Sequence, residues 1–141
     1  MMAEGSNQPV IAVIDDDSVY QFTASRTLKA TKMANEILQF QNGQEALTFL
    51  HSHATDPNML PDIIFLDINM PITDGWMFLD EFKKCKAEFA KKMRIYMVSS
   101  SIDPRDLNRA RSSPEVEDYV EKPISLNKFS ELLGNFGVTE V

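Results

Sequence analysis

Cysteine is almost missing from this sequence. One thiol, Cys85, stands among 141 residues, which excludes a disulfide within the chain and any cysteine-rich zinc or iron–sulfur site. A lone thiol suits a reducing compartment, so a cytoplasmic protein is expected. Histidine is as scarce, with only His51 and His53. Positive charge is also short: 14 Lys plus Arg against 21 Asp plus Glu leave a net charge of −7. Such a chain lacks the field that attracts nucleic acid or anionic lipid, and no direct nucleic-acid partner is expected. Long apolar runs are absent too. The longest, Val10–Ile14, is far below the length of a membrane span, so no membrane insertion is expected. Met1–Gln8 has neither the basic nor the apolar segment of a signal peptide.

What is present reads as one globular domain. Hydrophobic residues make up 43% and charged residues 25%, near the average for folded chains. The expected organisation is a disordered tail at 1–8, a domain over 9–137 and a short tail at 138–141. No internal repeat or linker interrupts it.

Between the tails the apolar pattern alternates between two periods. VIAVI at 10–14 reads as a strand buried on both faces. The acidic run Asp15-Asp16-Asp17 then offers N-caps for a helix over about 18–31, whose stripe of Tyr20, Ala24, Thr27, Leu28 and Thr31 is only weakly apolar. Ile37–Phe40 is a second strand, and Asn42-Gly43 turns into a short helix carrying Ala46, Leu47 and Leu50. His51–Pro61 reads as a loop. Ile63–Leu66 is a third strand closed by Asp67. The clearest helix follows the 68–75 loop, with Phe78, Phe82, Cys85 and Phe89 on one face. Ile95–Val98 is a fourth strand. Asp103-Pro104 opens a polar helix with Leu107 and Ala110 inward. Tyr119–Val120 centres a fifth strand. Ser125 caps a last helix with Leu126, Phe129, Leu132 and Leu133, ended by Gly134; Phe136 lies near the core. Five strands alternating with five helices predict an α/β fold, a doubly wound parallel sheet in the order 2-1-3-4-5 with helices on both faces.

In such a sheet ligands bind beyond the carboxyl ends of the strands. The residues that follow the strands there are Asp15, Asp16 and Asp17, then Asp67, Ser99 and Lys122. Each has an ordinary role open to it: a helix cap for the first three, a loop cap for Asp67, a solvated charge for Lys122. Together they are a rim of carboxylates, a hydroxyl and an ammonium. Clustered carboxylates without His or Cys suit a hard divalent ion such as Mg²⁺. An ion, a lysine and a hydroxyl are what a phosphoryl group needs during transfer, and an aspartate can be its nucleophile.

Four segments carry a resemblance: VIDDDS at 13–18, PDIIFLDINMPITDGW at 61–76, YMVSSS at 96–101 and YVEKPIS at 119–125. From about Val10 to Leu133 the chain resembles the receiver domain of bacterial response regulators, whose flavodoxin-like fold has the predicted strand order. The resemblance implies that Asp67 is the phosphoacceptor. It implies that Asp15 and Asp16 form an acid pocket for Mg²⁺ or Mn²⁺, with the backbone carbonyl of Asn69 as a further contact. Ser99 becomes the switch hydroxyl, Lys122 the partner of a phosphoryl oxygen, and Tyr119 the aromatic switch residue. The Lys122–Pro123 bond is expected to be cis. Asp17 matches no shared ligand and is read as a helix cap. Met70-Pro71 and Asp74-Gly75 shape the loop. Ser99 stands where Thr is commoner, and Asn69 and Ser101 occupy variable positions that tune hydrolysis of the acyl phosphate.

The implied partners are a sensor histidine kinase or a histidine phosphotransfer protein, and a downstream protein target met through helix four, strand five and helix five. The chain is expected to be a monomer or a phosphorylation-dependent dimer, to act without an output domain of its own, and to catalyse only its own phosphorylation and dephosphorylation. A phosphorelay intermediate is the alternative. Outside the family, Asp15-x-Asp17 imitates the nucleophile motif of haloacid-dehalogenase-type phosphatases, though no paired acidic motif follows. A nucleotide binder would need a phosphate loop where three aspartates stand, and a docking module that keeps the fold without phosphorylation would not need the acid pocket. His51 and His53 are read as solvated loop residues, Trp76 as packing and Cys85 as an inert buried thiol.

Overall fold

A computed structural model describes residues 8–70 and 74–138. Its strands are β1 (Val10–Ile14), β2 (Glu36–Phe40), β3 (Ile63–Asp67), β4 (Arg94–Ser99) and β5 (Val116–Glu121). Its helices are α1 (Ser18–Thr31), α2 (Gly43–Ser52), α3 (Gly75–Cys85), α4 (Pro104–Arg111) and α5 (Leu126–Val138), with a 3₁₀ turn at Lys86–Glu88. The tails expected at 1–8 and 138–141 fall, but for Gln8 and Val138, outside the described residues, as do Pro71 and the side chain of Phe136.

The five strands form one parallel sheet in the order β2-β1-β3-β4-β5, as the sequence predicts. Alternation along each strand sends neighbouring side chains to opposite faces. Ile11, Val13, Phe65 and Val98 thus pack with Leu28 of α1 and Phe129, Leu132 and Leu133 of α5. Ala12, Ile14, Leu66 and Met97 pack on the other face with Leu50 of α2 and Phe78, Leu79 and Phe82 of α3. Full burial of β1 and β3 explains their uninterrupted apolar runs. β2 and β5 depart from that expectation. They are edge strands, and only Phe40 of β2 and Tyr119 and Val120 of β5 are buried.

The caps are local chemistry and match their residues. Asp17 Oδ1 accepts the N–H of Val19 and Tyr20, Asn42 caps α2, Asp74 caps α3 and Asp103 caps α4 before Pro104. Four expectations fail in detail. α2 extends to Ser52, so His51 is helical. α3 ends at Cys85 and Phe89 follows the 3₁₀ turn, yet Phe89 stays buried and its ring stacks on Phe82. Leu126 is exposed, one residue after the Ser125 cap. Gly134 does not end α5, which runs on to Val138. No glycine among the described residues has a positive φ, so the left-handed terminus a glycine permits is not formed there.

The weak stripe of α1 has a specific explanation. Its buried residues are Gln21, Ala24, Ser25 and Leu28. The Gln21 amide donates to the carbonyls of Val13, Asp15 and Phe40 at 3.0, 3.0 and 2.9 Å. A buried polar side chain replaces an apolar one because it ties α1 to the ends of β1 and β2, where carbonyls need donors.

Candidate phosphoacceptor and metal site

The site sits where the parallel strands end. Asp15 follows β1, Asp67 and Ser99 are the last residues of β3 and β4, and Lys122 follows β5. Backbone bonds carry the ladders past the strands and fix this edge: Asp15 N to Phe40 O at 3.0 Å, Ile68 N to Val98 O at 2.9 Å and Lys122 N to Ser99 O at 2.8 Å. The peptide bond between Lys122 and Pro123 is cis, as the resemblance implied.

Oxygens of Asp15, Asp16 and Asp67 converge within 4.8 Å of one another. Asp15 and Asp67 are buried and Asp16 is exposed. The Lys122 ammonium stands 2.6 Å from Asp15 Oδ2 and 3.6 Å from Asp67 Oδ1. Three carboxylates with one ammonium beside two of them leave the cluster with surplus negative charge. Asp15 Oδ2 has this ion pair and no aligned hydrogen bond, while Asp15 Oδ1 accepts the N–H of Asp17 at 2.9 Å. An all-oxygen donor set with excess charge and one open edge fits a hard divalent cation. Asp17 stays out of the cluster because its carboxylate caps α1. The Asp15-x-Asp17 pair therefore does not converge as a phosphatase motif would require.

Asp67 is held in an unusual protonation balance. Burial, and then the Asp15 carboxylate, push its acid up to about 6 against the opposing pull of Lys122 and of the Asn69 N–H. That N–H donates to Asp67 Oδ1 at 3.3 Å. The Asn69 side chain reaches the other way and donates to Ser99 Oγ at 3.3 Å. Ser99 Oγ also accepts the Ser101 N–H at 3.3 Å. Asn69 thus bridges the proposed phosphoacceptor and the proposed switch hydroxyl. Tyr119 is buried, and its hydroxyl donates to the Ser101 carbonyl at 2.9 Å on the same loop.

Sequence reasoning missed two residues here. Tyr20, assigned to the stripe of α1, lies under Lys122, whose ammonium is 4.3 Å from the ring centroid. Burial and the carboxylates of Asp15 and Asp67 push its phenol well up, so it stays protonated. Its distance from the Asp17 cap was the available signal, since the first turn of that helix overhangs the strand ends. Gln21 is the other. Trp76 is buried as expected but also polar in its contacts: its indole N–H donates to Asp106 of α4 at 3.1 Å, and Arg109 stacks 4.4 Å from its ring. The histidines join no acidic or thiol cluster among the described residues; His51 faces Glu88 at 3.9 Å and His53 packs on Phe49. The Cys85 thiol is buried, and burial pushes its pKa up.

Residues 11–133 match the family model described as the response regulator receiver domain. The chain superimposes with a TM-score of 0.82 on a two-component response regulator from Cytophaga hutchinsonii, at 32% identity over 90% of this chain and 95% of that one. It is 25% identical over 122 residues to a probable methanogenesis regulatory protein, FilR2, of Methanothrix harundinacea, covering 86% of this chain and 77% of the relative. It is 30% identical over 116 residues to the sensor histidine kinase CheAY of Helicobacter pylori, covering 82% of this chain. There it spans only 13% of the relative's length.

Proposed function

This chain belongs to the response regulator receiver family of two-component signalling, and from that premise we propose that it is a switch phosphorylated on Asp67. The observation that carries the proposal is the convergence of the Asp15, Asp16 and Asp67 carboxylates, two of which, Asp15 and Asp67, face the Lys122 ammonium.

A phosphohistidine on a sensor kinase or phosphotransfer protein is the natural donor. An Asp67 oxygen attacks phosphorus in line, the phosphorus–nitrogen bond breaks, and the electron pair leaves with the imidazole. Mg²⁺ or Mn²⁺, held by Asp15, Asp16 and Asp67, would neutralise charge on the phosphoryl oxygens. Lys122 meets one phosphoryl oxygen and Ser99 another. Ser99 Oγ accepts the Asn69 amide at 3.3 Å, and its own proton is the donor to that oxygen. The loop carrying Ser101 then moves, and the Tyr119 hydroxyl bonded to it follows. This biases the surface of α4, β5 and α5, through which a protein target reads the signal. Near the acid cluster, α1 exposes Val19 and Phe22, at 73% and 62%. Large apolar side chains left in water beside a reactive site support a contact there for the phosphodonor protein.

No helix among the described residues is long and apolar enough to cross a membrane. The reading places the protein in the cytoplasm, where kinase and target would be met. Incubation with Mg²⁺ and acetyl phosphate, read by intact mass, tests the proposal. One phosphoryl group is expected on wild type and none on Asp67→Asn or with EDTA. Labelling that survives Asp67→Asn and disappears in Asp15→Asn would favour the phosphatase reading. A wild type inert to acetyl phosphate and to beryllofluoride would favour a docking module.

A further inference from the structure

We propose that Tyr20 is a positioning residue for Lys122, its ring holding the ammonium beside the acid cluster when the lysine exchanges Asp15 for a phosphoryl oxygen. The inference rests on the phosphoacceptor reading of Asp67.

Three groups surround the Lys122 ammonium: Asp15 at 2.6 Å, Asp67 at 3.6 Å and the Tyr20 ring at 4.3 Å from its centroid. One carboxylate follows β1 and the other ends β3, the ring comes from the first turn of α1, and the lysine follows β5. The Asp17 cap bonds the Tyr20 N–H itself, at 3.1 Å, so the backbone below the ring is fixed.

In acyl phosphate formation from acetyl phosphate, the bond from Asp67 Oδ to phosphorus forms as the bond from phosphorus to the acetate oxygen breaks. Acetate leaves with the electron pair. Negative charge spreads over the equatorial oxygens, and a cation must already be aimed at them. Lys122 is nearer to Asp15 than to Asp67, so it has to change partners. A lysine has a long flexible stem and a strongly hydrated head. Released from Asp15 alone, it would gain hydration by swinging outward. The electron-rich face of Tyr20 attracts the ammonium without a directional bond that must break. The ring therefore lets the ammonium slide between oxygens while keeping it in the pocket. The attraction belongs to the ring, and the hydroxyl is dispensable. A residue that only filled space would tolerate an aliphatic side chain as well as a second aromatic one.

The test uses the full chain with Tyr20→Phe and Tyr20→Leu, each alone and combined with Lys122→Met. Tyr20→Met serves as a second ring-free variant should Tyr20→Leu not fold. The first readout needs no phosphodonor: the ε-methylene protons of Lys122, shifted upfield by the ring in wild type and Tyr20→Phe, return to ordinary lysine values in Tyr20→Leu. The second is the rate of labelling with Mg²⁺ and acetyl phosphate. Tyr20→Phe is expected within about twofold of wild type and Tyr20→Leu slower by about three- to thirtyfold. With Lys122→Met present, the residual labelling, followed over hours, should fall no further in Tyr20→Leu. Equal losses in the Phe and Leu variants, a loss undiminished without the lysine, or lysine shifts indifferent to the ring would each overturn the inference. An unlabelled wild type would sink the phosphoacceptor reading and this inference with it. A labelled wild type with an equally fast Tyr20→Leu sinks the inference alone.

Discussion

Lys122 is paired more closely with Asp15 than with Asp67, at 2.6 against 3.6 Å. The ammonium neutralises the carboxylate that has least access to water, since Asp15 is 1% exposed. Asp67 is left partly uncompensated, and burial and Asp15 act on it with only partial relief. The proposed nucleophile is thus primed to lose charge to any incoming cation or electrophile.

Removing that ammonium should be costly in a way that reveals the cluster. Lys122→Met leaves three converging acids without a cation. We expect a loss of about 3 kcal/mol at pH 7.5, a smaller loss at pH 5, and partial recovery in millimolar Mg²⁺. Urea unfolding in EDTA and in Mg²⁺ at both pH values checks this. Equal losses in all conditions would mean that the lysine is merely packing.

The pH dependence of stability follows from Asp67. Its folded value of about 6 lies above the ordinary 3.8, so the native protein binds this proton more tightly than the unfolded chain. The stabilisation is fully present below about pH 4 and is lost as pH rises through 6. Above that, the charged group disfavours folding by on the order of 2–3 kcal/mol. Asp67→Asn should therefore be more stable than wild type at pH 7.5 without metal and should lack its share of the slope between pH 4 and 6. Mg²⁺ affinity should fall below pH 6 as the proton competes. Urea titrations across this range, with calorimetry for the metal, measure both; an unchanged slope in the variant would remove Asp67 as the source.

Gln21 is the next test, because one buried amide serves three carbonyls. Gln21→Ala and the closer-sized Gln21→Leu should each destabilise by about 2–3 kcal/mol, since both remove the amide's bonds to the carbonyls of Val13 and Asp15 and leave Phe40's with the Asp15 N–H alone. Hydrogen exchange should quicken at the Asp15 amide, which bonds to the Phe40 carbonyl. A harmless Gln21→Leu would show that water replaces the amide there.

Gly75 stands where α3 begins against the end of β3. A Cβ there would lie 2.7 Å from the Asp67 carbonyl oxygen and 2.9 Å from Ile68 Cα. Both neighbours are backbone, so Gly75→Ala must displace backbone on one side of the contact, and the segment that carries the proposed phosphoacceptor is expected to move. A loss of about 1–3 kcal/mol and about tenfold slower labelling by acetyl phosphate are expected. Thermal unfolding and intact-mass time courses read them, and wild-type behaviour in both would show that α3 yields instead.

Much of the fold and the site was legible in the order of residues. Alternating periods, the caps at Asp17 and Asp103, and acids placed directly after apolar runs are local features. They hold whatever the rest of the chain does, because hydrogen bonds to a helix start and burial of a strand are set within a few residues. They were enough to mark the strands and to set Asp15, Asp16, Asp67, Ser99 and Lys122 at their carboxyl ends, while the strand order followed from right-handed crossovers and the usual order of a doubly wound sheet. Only the tertiary structure decided which side of each group faces which partner. It exposed β2 and β5 as edges, seated Gln21 under three carbonyls, joined Trp76 to Asp106 and laid Lys122 over Tyr20 closer to Asp15 than to Asp67. Those outcomes depend on distances between strands and helices far apart in sequence, where a shift of an ångström changes which charge is neutralised, and no local pattern encodes that distance.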